Sequence, residues 1–182
     1  MAGLVFVGVV ALIIALFIYY YNKLVSLRNL SEASWSDIDV QLKKRWDLIP
    51  NLVETVKGYA SHEKDTLENV TKARNMAMGA GSVEAHAKAE NMLTGALKSL
   101  FALSESYPEL KANVNFLELQ NSINSIENDI QLARRYYNAV VRDLNTMCES
   151  FPSLIVAGMF RFTKKEYFEM DSAQRENVQV KF

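Results

Sequence analysis

The chain has 182 residues, 23% of them charged, with 20 Lys and Arg against 21 Asp and Glu for a formal net charge of -1. Acids and bases are mixed along it without a long block of either sign, which argues against nucleic acid as the main partner, because such binding draws on net phosphate neutralisation. One cysteine excludes a disulfide scaffold, and 7 glycines with 3 prolines leave little room for a long flexible linker or a sandwich of short strands.

Residues 2–21, AGLVFVGVVALIIALFIYYY, carry no charged side chain. A helix of this length rises 1.5 Å per residue and spans the roughly 30 Å hydrocarbon core of a bilayer. Nothing basic precedes Leu4, and the run closes on Tyr19, Tyr20 and Tyr21 rather than on small residues. The segment therefore reads as a retained single-pass anchor, with a cleaved secretory signal as its rival. Tyrosine rings suit the headgroup region, where one end of the ring is wet. Lys23, Arg28, Lys43, Lys44 and Arg45 follow the span. That asymmetry predicts a body on the cytoplasmic side, and the lone Cys148 is compatible with a reducing compartment.

The spacing of Leu24, Leu27, Leu30, Ser34, Ile38 and Leu42 predicts a helix over 22–46 that leaves the membrane without a break, with Trp35 and Trp46 near the same side. Span and helix together predict one rod of roughly 65 Å. Pro50 costs about 3 kcal/mol inside a helix and little in a first turn. Asp47 can cap a new helix, so a tight turn around Asp47 is preferred over one long kinked helix, and the second helix runs on to Arg74 with Gly58 inside it. Gly79-Ala80-Gly81-Ser82 is the clearest loop; Ser82 caps a third helix reaching about Leu103, with Glu84 in its first turn. Ser106-Tyr107-Pro108-Glu109 reads as a capping box. It opens a helix of about 40 residues, whose apolar positions from Ala112 through Ile123, Ile130, Tyr137 and Leu144 to Phe151 alternate steps of four and three. That period, near 3.5, predicts shallow-angle, coiled-coil-like packing. A shorter helix follows Pro152 to about Phe160. The tail contains the period-two run Val178-Gln179-Val180-Lys181-Phe182 and is expected to lie over the bundle, since a lone strand has no partner.

The expected fold is all-α: an elongated antiparallel bundle of about four main helices preceded by a single N-terminal transmembrane helix. The expected division is an anchor over 1–21, a helical bundle over 22–162, and a C-terminal tail over 163–182 packed on or near it. The stretch Trp35 to Val53, WSDIDVQLKKRWDLIPNLV, followed by Val56-Lys57-Gly58-Tyr59 and His62-Glu63, closely resembles the LemA family of bacterial membrane proteins. Tyr21-Asn22-Lys23-Leu24-Val25, Tyr107 to Asn113, Ala133 to Asn138, Phe151-Pro152 and Tyr167-Phe168-Glu169 agree in order. The resemblance implies a bacterial cell-membrane protein with an N-terminal anchor and a cytoplasmic-side helical bundle. It implies no enzymatic activity, cofactor or substrate. Many relatives carry Phe where this chain has Tyr107, and either ring can pack at the turn.

No chemical constellation stands out. His62 and Glu63 are adjacent and diverge on a helix, and the second histidine of an H-E-x-x-H zinc site would be position 66, which is Thr66. His86 lies in another segment and reads as polar surface or a cap. Asp37, Asp39, Arg45 and Asp47 are expected to form polar links at the turn near the bundle end rather than a catalytic pair. Cys148, beside Met147 and Phe151, reads as a buried or half-buried thiol. Arg134-Arg135-Tyr136-Tyr137 is too short for a nucleic-acid platform. Trp35 and Trp46 are expected between helices or at a partner surface. The stretch from Phe151 to Phe162 is expected to cover the bundle end, with membrane or protein contact as the alternative.

No catalytic, cofactor-binding or metal-ligating residue is assigned. The expected role is a membrane-anchored, non-enzymatic scaffold or adaptor, in contact with an unidentified membrane or cytoplasmic protein or as a homo-oligomer. The alternatives are a sensor or organiser of the membrane surface and an enzyme acting on lipid or envelope precursors.

Overall fold

The computed structural model describes residues 1–169, and every regular element among them is helical. These are α1 (Ala2–Lys57), α2 (Lys64–Met78), α3 (Val83–Ser104), α4 (Pro108–Lys111), α5 (Val114–Glu149) and α6 (Ser153–Met159). The all-α expectation holds, with four main helices and two short ones. The residues divide into two compact units. One comprises Met1–Ile38 with Ala133–Tyr167, the other Asp39–Leu132 with Phe168 and Glu169.

The first departure from the sequence reading is at Asp47. No turn forms there, and α1 continues through Pro50 to Lys57. A proline removes the N–H that would bond the carbonyl four residues back, here that of Trp46. The Arg74 guanidinium of α2 takes that carbonyl, its Nε donating to Trp46 O at 2.7 Å. Pro50 itself is exposed, while Ile49, Leu52 and Val56 around it are buried. Burial of each such side chain yields about 1.5–3 kcal/mol, so three together outweigh the roughly 3 kcal/mol that an internal proline costs. The chain turns instead at Gly58, where helix propagation is weaker by about 1 kcal/mol than at Ala. Tyr59 and Ala60 both donate to Val56 O, at 3.0 and 2.8 Å, and close the end. Arg74→Met is therefore expected to lower stability by about 1–3 kcal/mol by orphaning the carbonyl. Much of that loss should vanish in a Pro50→Ala background, where the restored amide bonds Trp46 O. A double-mutant cycle by chemical unfolding in detergent measures the coupling; strict additivity would refute it.

In the first unit, Leu24 and Leu27 of α1 pack with Leu144 of α5 and with Val156 and Ala157 of α6, and Phe17, Tyr20, Met147, Cys148 and Phe162 line this core. Ser31 takes the inward position expected of Leu30: Ser31 is fully buried, its Oγ donating to Arg28 O at 2.6 Å, and Leu30 is exposed. Trp35 lies 5.5 Å from the Tyr137 ring. Beyond α6 the chain is strapped to α5. Asn145 Nδ2 donates to Lys165 O at 3.0 Å and Asn145 Oδ1 accepts from Lys165 N at 2.9 Å, while Tyr137 Oη donates to Glu166 O at 3.0 Å. The run Val178–Phe182 lies outside the described residues.

In the second unit α2 and α3 are the main packed pair. Ser82 caps α3 as expected, its Oγ accepting from Ala85 N at 3.2 Å. Glu84 in the first turn pairs with Lys88 at 2.6 Å, which holds its carboxyl below the usual range. The capping box at Ser106 does not form. Tyr107 precedes the four-residue α4 with no side-chain cap, and the long helix starts only after Asn113, whose Oδ1 accepts from Phe116 N at 2.9 Å. Asn is among the best N-caps, and a single-turn α4 lets the chain reorient before α5 begins.

Candidate functional site

Two polar features of the second unit and one apolar feature of the first are candidates. The deepest is a buried charged centre built on α1. Leu42, Arg45, Ile49 and Leu52 occupy one stripe of that helix, so the same periodicity that buries the leucines carries Arg45 inside, 1% exposed. Its two terminal nitrogens reach acids from two other helices, Glu90 Oε2 of α3 and Glu127 Oε2 of α5, both at 2.9 Å. Thr94 Oγ1 accepts a further bond at 2.8 Å. Trp46 Nε1 donates to the second oxygen of Glu90 at 2.7 Å. Arg45 thus has none of the expected links to Asp37, Asp39 or Asp47, all of which are exposed. The sequence placed an arginine on an apolar stripe but carries no local sign of partners 45 and 82 positions away.

Burial raises the Glu90 carboxyl above its ordinary 4.5, against the lowering pull of Arg45 and of the Trp46 N–H. Folding therefore takes up a proton here as pH falls. The stability linked to Glu90 is fully present below 4.5 and is lost as pH rises through the raised folded value. The stability gap between the native chain and Glu90→Gln, which cannot titrate, is expected to widen in favour of the native chain on acidification from pH 7 toward 4.5. Thermal unfolding across that window measures it, and a narrowing gap would contradict the sign.

His86 is neither surface nor cap. Its half-buried ring stacks on Trp46 at 6.1 Å and 12°, and burial lowers its pKa below 6.5 against the opposing charge of Asp39. His62 stays exposed. Among the described residues no three His, Cys, Asp or Glu side chains are grouped as a metal site requires. Cys148 is half-buried as expected, and burial pushes its thiol up, so it stays protonated at neutral pH.

The second polar feature is a shallow cleft of about 360 Å³ lined by Tyr59, Ser106, Tyr107, Pro108, Glu109 and Leu110. Tyr107 Oη donates to Glu63 at 3.0 Å, and this bond raises the Tyr107 pKa. Asn113 Nδ2 donates to Tyr59 Oη at 2.9 Å. Two sequence blocks about 45 residues apart, Gly58 to Glu63 and Tyr107 to Asn113, thereby meet at helix ends, with Tyr59 and Glu109 open to solvent. Such a cleft has hydrogen-bonding rims around the buried Leu110.

The apolar feature is the start of α1. Residues 1–16 are exposed among the described residues, and the helix they begin is long and apolar enough to cross a membrane. At the end of this stretch Phe17 and Tyr21 meet Phe160, with ring centroids 5.8 and 4.6 Å away. The stretch from Phe151 to Phe162 covers the core only in part. Ser153, Val156 and Ala157 face inward, while Phe151, Leu154, Ile155, Met159 and Phe160 are exposed.

The LemA family model matches residues 34–182. The chain is 25% identical over 176 residues to the protein LemA of Metamycoplasma hominis, covering 92% of this chain and 78% of the relative. It is 23% identical over 182 residues to the magnetosome protein MamQ 2 of Paramagnetospirillum magneticum, covering 86% and 67%. The magnetosome protein MamQ of Magnetospirillum gryphiswaldense is 23% identical over 174 residues, covering 81% and 64%.

Proposed function

The chain belongs to the LemA family, and from that premise we propose that it is a membrane-anchored, non-enzymatic scaffold acting through protein contacts at the Tyr59–Tyr107 cleft. The observation that carries this reading is the meeting there of two blocks that resemble the family, Gly58 to Glu63 and Tyr107 to Asn113, joined by side-chain hydrogen bonds. Amphipathic rings with half-open hydroxyl groups suit a contact surface, because Tyr offers large apolar area and a polar tip at low entropic cost. The buried Arg45 centre is a locator in this reading. It sets the register of three helices, a role for which buried polar groups are best attested. The basic residues that follow the span orient the scaffold toward the cytoplasm.

The test places a photo-crosslinking residue at Tyr59 or Glu109 of the full-length protein in native membranes, with Lys72, exposed on α2, as the comparison. One discrete adduct common to the two cleft positions and absent at Lys72 is the expected result. Identical adducts at all three positions, or none but lipid, would remove the cleft from the account.

A further inference from the structure

A helix that is apolar on every side belongs in a core or in lipid. Among its residues, Ser153 to Met159, α6 has no charged side chain, yet only one face is buried. Ser153, Val156 and Ala157 form that face, against the Leu24–Leu144 core. At 100° per residue, Leu154, Ile155 and Met159 fall on the opposite face, and they are 45%, 51% and 65% exposed. Phe151, 79% exposed, precedes them four residues before Ile155.

What covers this face follows from where α6 is held. Phe160, directly after the helix, rests against both Phe17 and Tyr21. Those two rings are four residues apart on α1, about 6 Å along its axis. The end of α6 is therefore level with the last turn of the apolar span and lies beside it. The chain is pinned there: Phe162 N donates to Ala157 O at 3.0 Å and Arg161 N to Gly158 O at 3.4 Å, a helix end closed through Arg161 at φ 57°. An interfacial helix buries its apolar face about 5–10 Å into the headgroup and acyl boundary, and the ring contacts hold the end of α6 beside the tyrosine-ended last turn of the span. Arg161 closely follows α6 and is exposed, the exposed Arg28 holds its guanidinium 5.4 Å from the Phe162 ring, and Lys23 is exposed two residues after Tyr21. Cations at that level meet anionic headgroups.

We propose that α6 is a second membrane-contacting element, lying in the lipid interface beside the span with Leu154, Ile155 and Met159 toward the acyl chains. The exposed apolar surface of the span and that of α6 are then continuous, and one bilayer covers both. The inference does not depend on the scaffold reading and survives its failure.

The test uses the full chain in mixed phosphatidylcholine and phosphatidylglycerol vesicles. An environment-sensitive fluorophore is attached through Ile155→Cys or Met159→Cys in a Cys148→Ala background. Ile14→Cys serves as the lipid reference and Glu68→Cys, exposed on α2, as the water reference. Brominated lipids should reduce emission at both α6 positions as at Ile14, and aqueous iodide should reduce it only at Glu68. Iodide quenching on α6 equal to that at Glu68 would overturn the proposal. Protection from both quenchers would also overturn it, since a protein and not lipid would then cover the face. Because Cys148 borders the core, the unaltered protein is also labelled with a photoactivatable phospholipid and digested. Lipid adducts on the peptide containing Leu154 to Met159 are expected; adducts confined to the span would refute the contact.

Discussion

Arg45→Met is expected to lower the stability of the second unit by about 3–5 kcal/mol, the range for removing one partner of a buried ion pair. The guanidinium is buried and holds Glu90, Glu127 and Thr94 at once. Methionine keeps the apolar stem and lacks only the guanidinium, so most of the loss is electrostatic. It comes from leaving the Glu90 carboxylate fully buried with only the Trp46 N–H to neutralise it. Without Arg45 the main influence lowering the Glu90 pKa is gone, and the carboxyl rises further. The loss should therefore be larger at pH 7 than at pH 5. The triple variant Arg45→Met, Glu90→Leu, Glu127→Met leaves no unpaired charge, and apolar replacement of a whole buried pair is often neutral or favourable. It is expected to recover most of the loss, short of about 1–3 kcal/mol for the Trp46 N–H left without its acceptor. Thermal and urea unfolding in detergent, followed by far-UV circular dichroism, separates the two. A loss under 1 kcal/mol for Arg45→Met would mean water reaches the centre. A stable triple variant that no longer forms the Tyr59 adduct would show that the charges set register.

The second large effect concerns the anchor. The Leu, Val, Ile and Phe side chains of residues 2–21 each favour insertion by about 0.3–0.6 kcal/mol, roughly 5 kcal/mol for the run. An arginine at a span centre costs about 3 kcal/mol, so Val9→Arg with Ile13→Arg, one turn apart, costs about 6 kcal/mol and cancels the whole gain. The double variant is expected to leave the carbonate-resistant membrane fraction, whereas Val9→Leu with Ile13→Leu stays. Neither pair touches a core, because both positions are exposed. If the double-arginine protein still resists carbonate, the membrane attachment does not rest on this helix alone, and α6 becomes the first place to look. Loss to a carbonate-sensitive but still sedimenting form would be the signature of α6 holding the surface without the span.

How much of this was legible differs from one residue to the next, and locality is the reason. Ser82 as a cap and the stripe through Ile123, Ile130, Tyr137 and Leu144 were readable because a helix brings together residues three and four apart, and their neighbours are printed beside them. The apolar run to Tyr21 was readable because the bilayer sets its length. Pro50 misled, since its cost was visible locally and its remedy, the Arg74 guanidinium bonded to Trp46 O, was not. The capping box at Ser106 misled in the same way: its pattern was present, and Asn113 outcompeted it as the start of the long helix.

By itself the sequence determined the helical class, the membrane-length apolar run, the loop at Gly79 to Ser82 and the family. Each rests on composition or on short-range periodicity, which the backbone geometry of a helix converts directly into a face or a length. Only the tertiary structure decided that α1 passes Pro50, that Arg45 meets Glu90 and Glu127, that Tyr59 and Tyr107 share a cleft, and that α6 is pinned against Phe17 and Tyr21. Those depend on which surfaces distant helices bury against one another. That choice is made by the summed burial of many side chains, of which any single stretch of sequence holds one side.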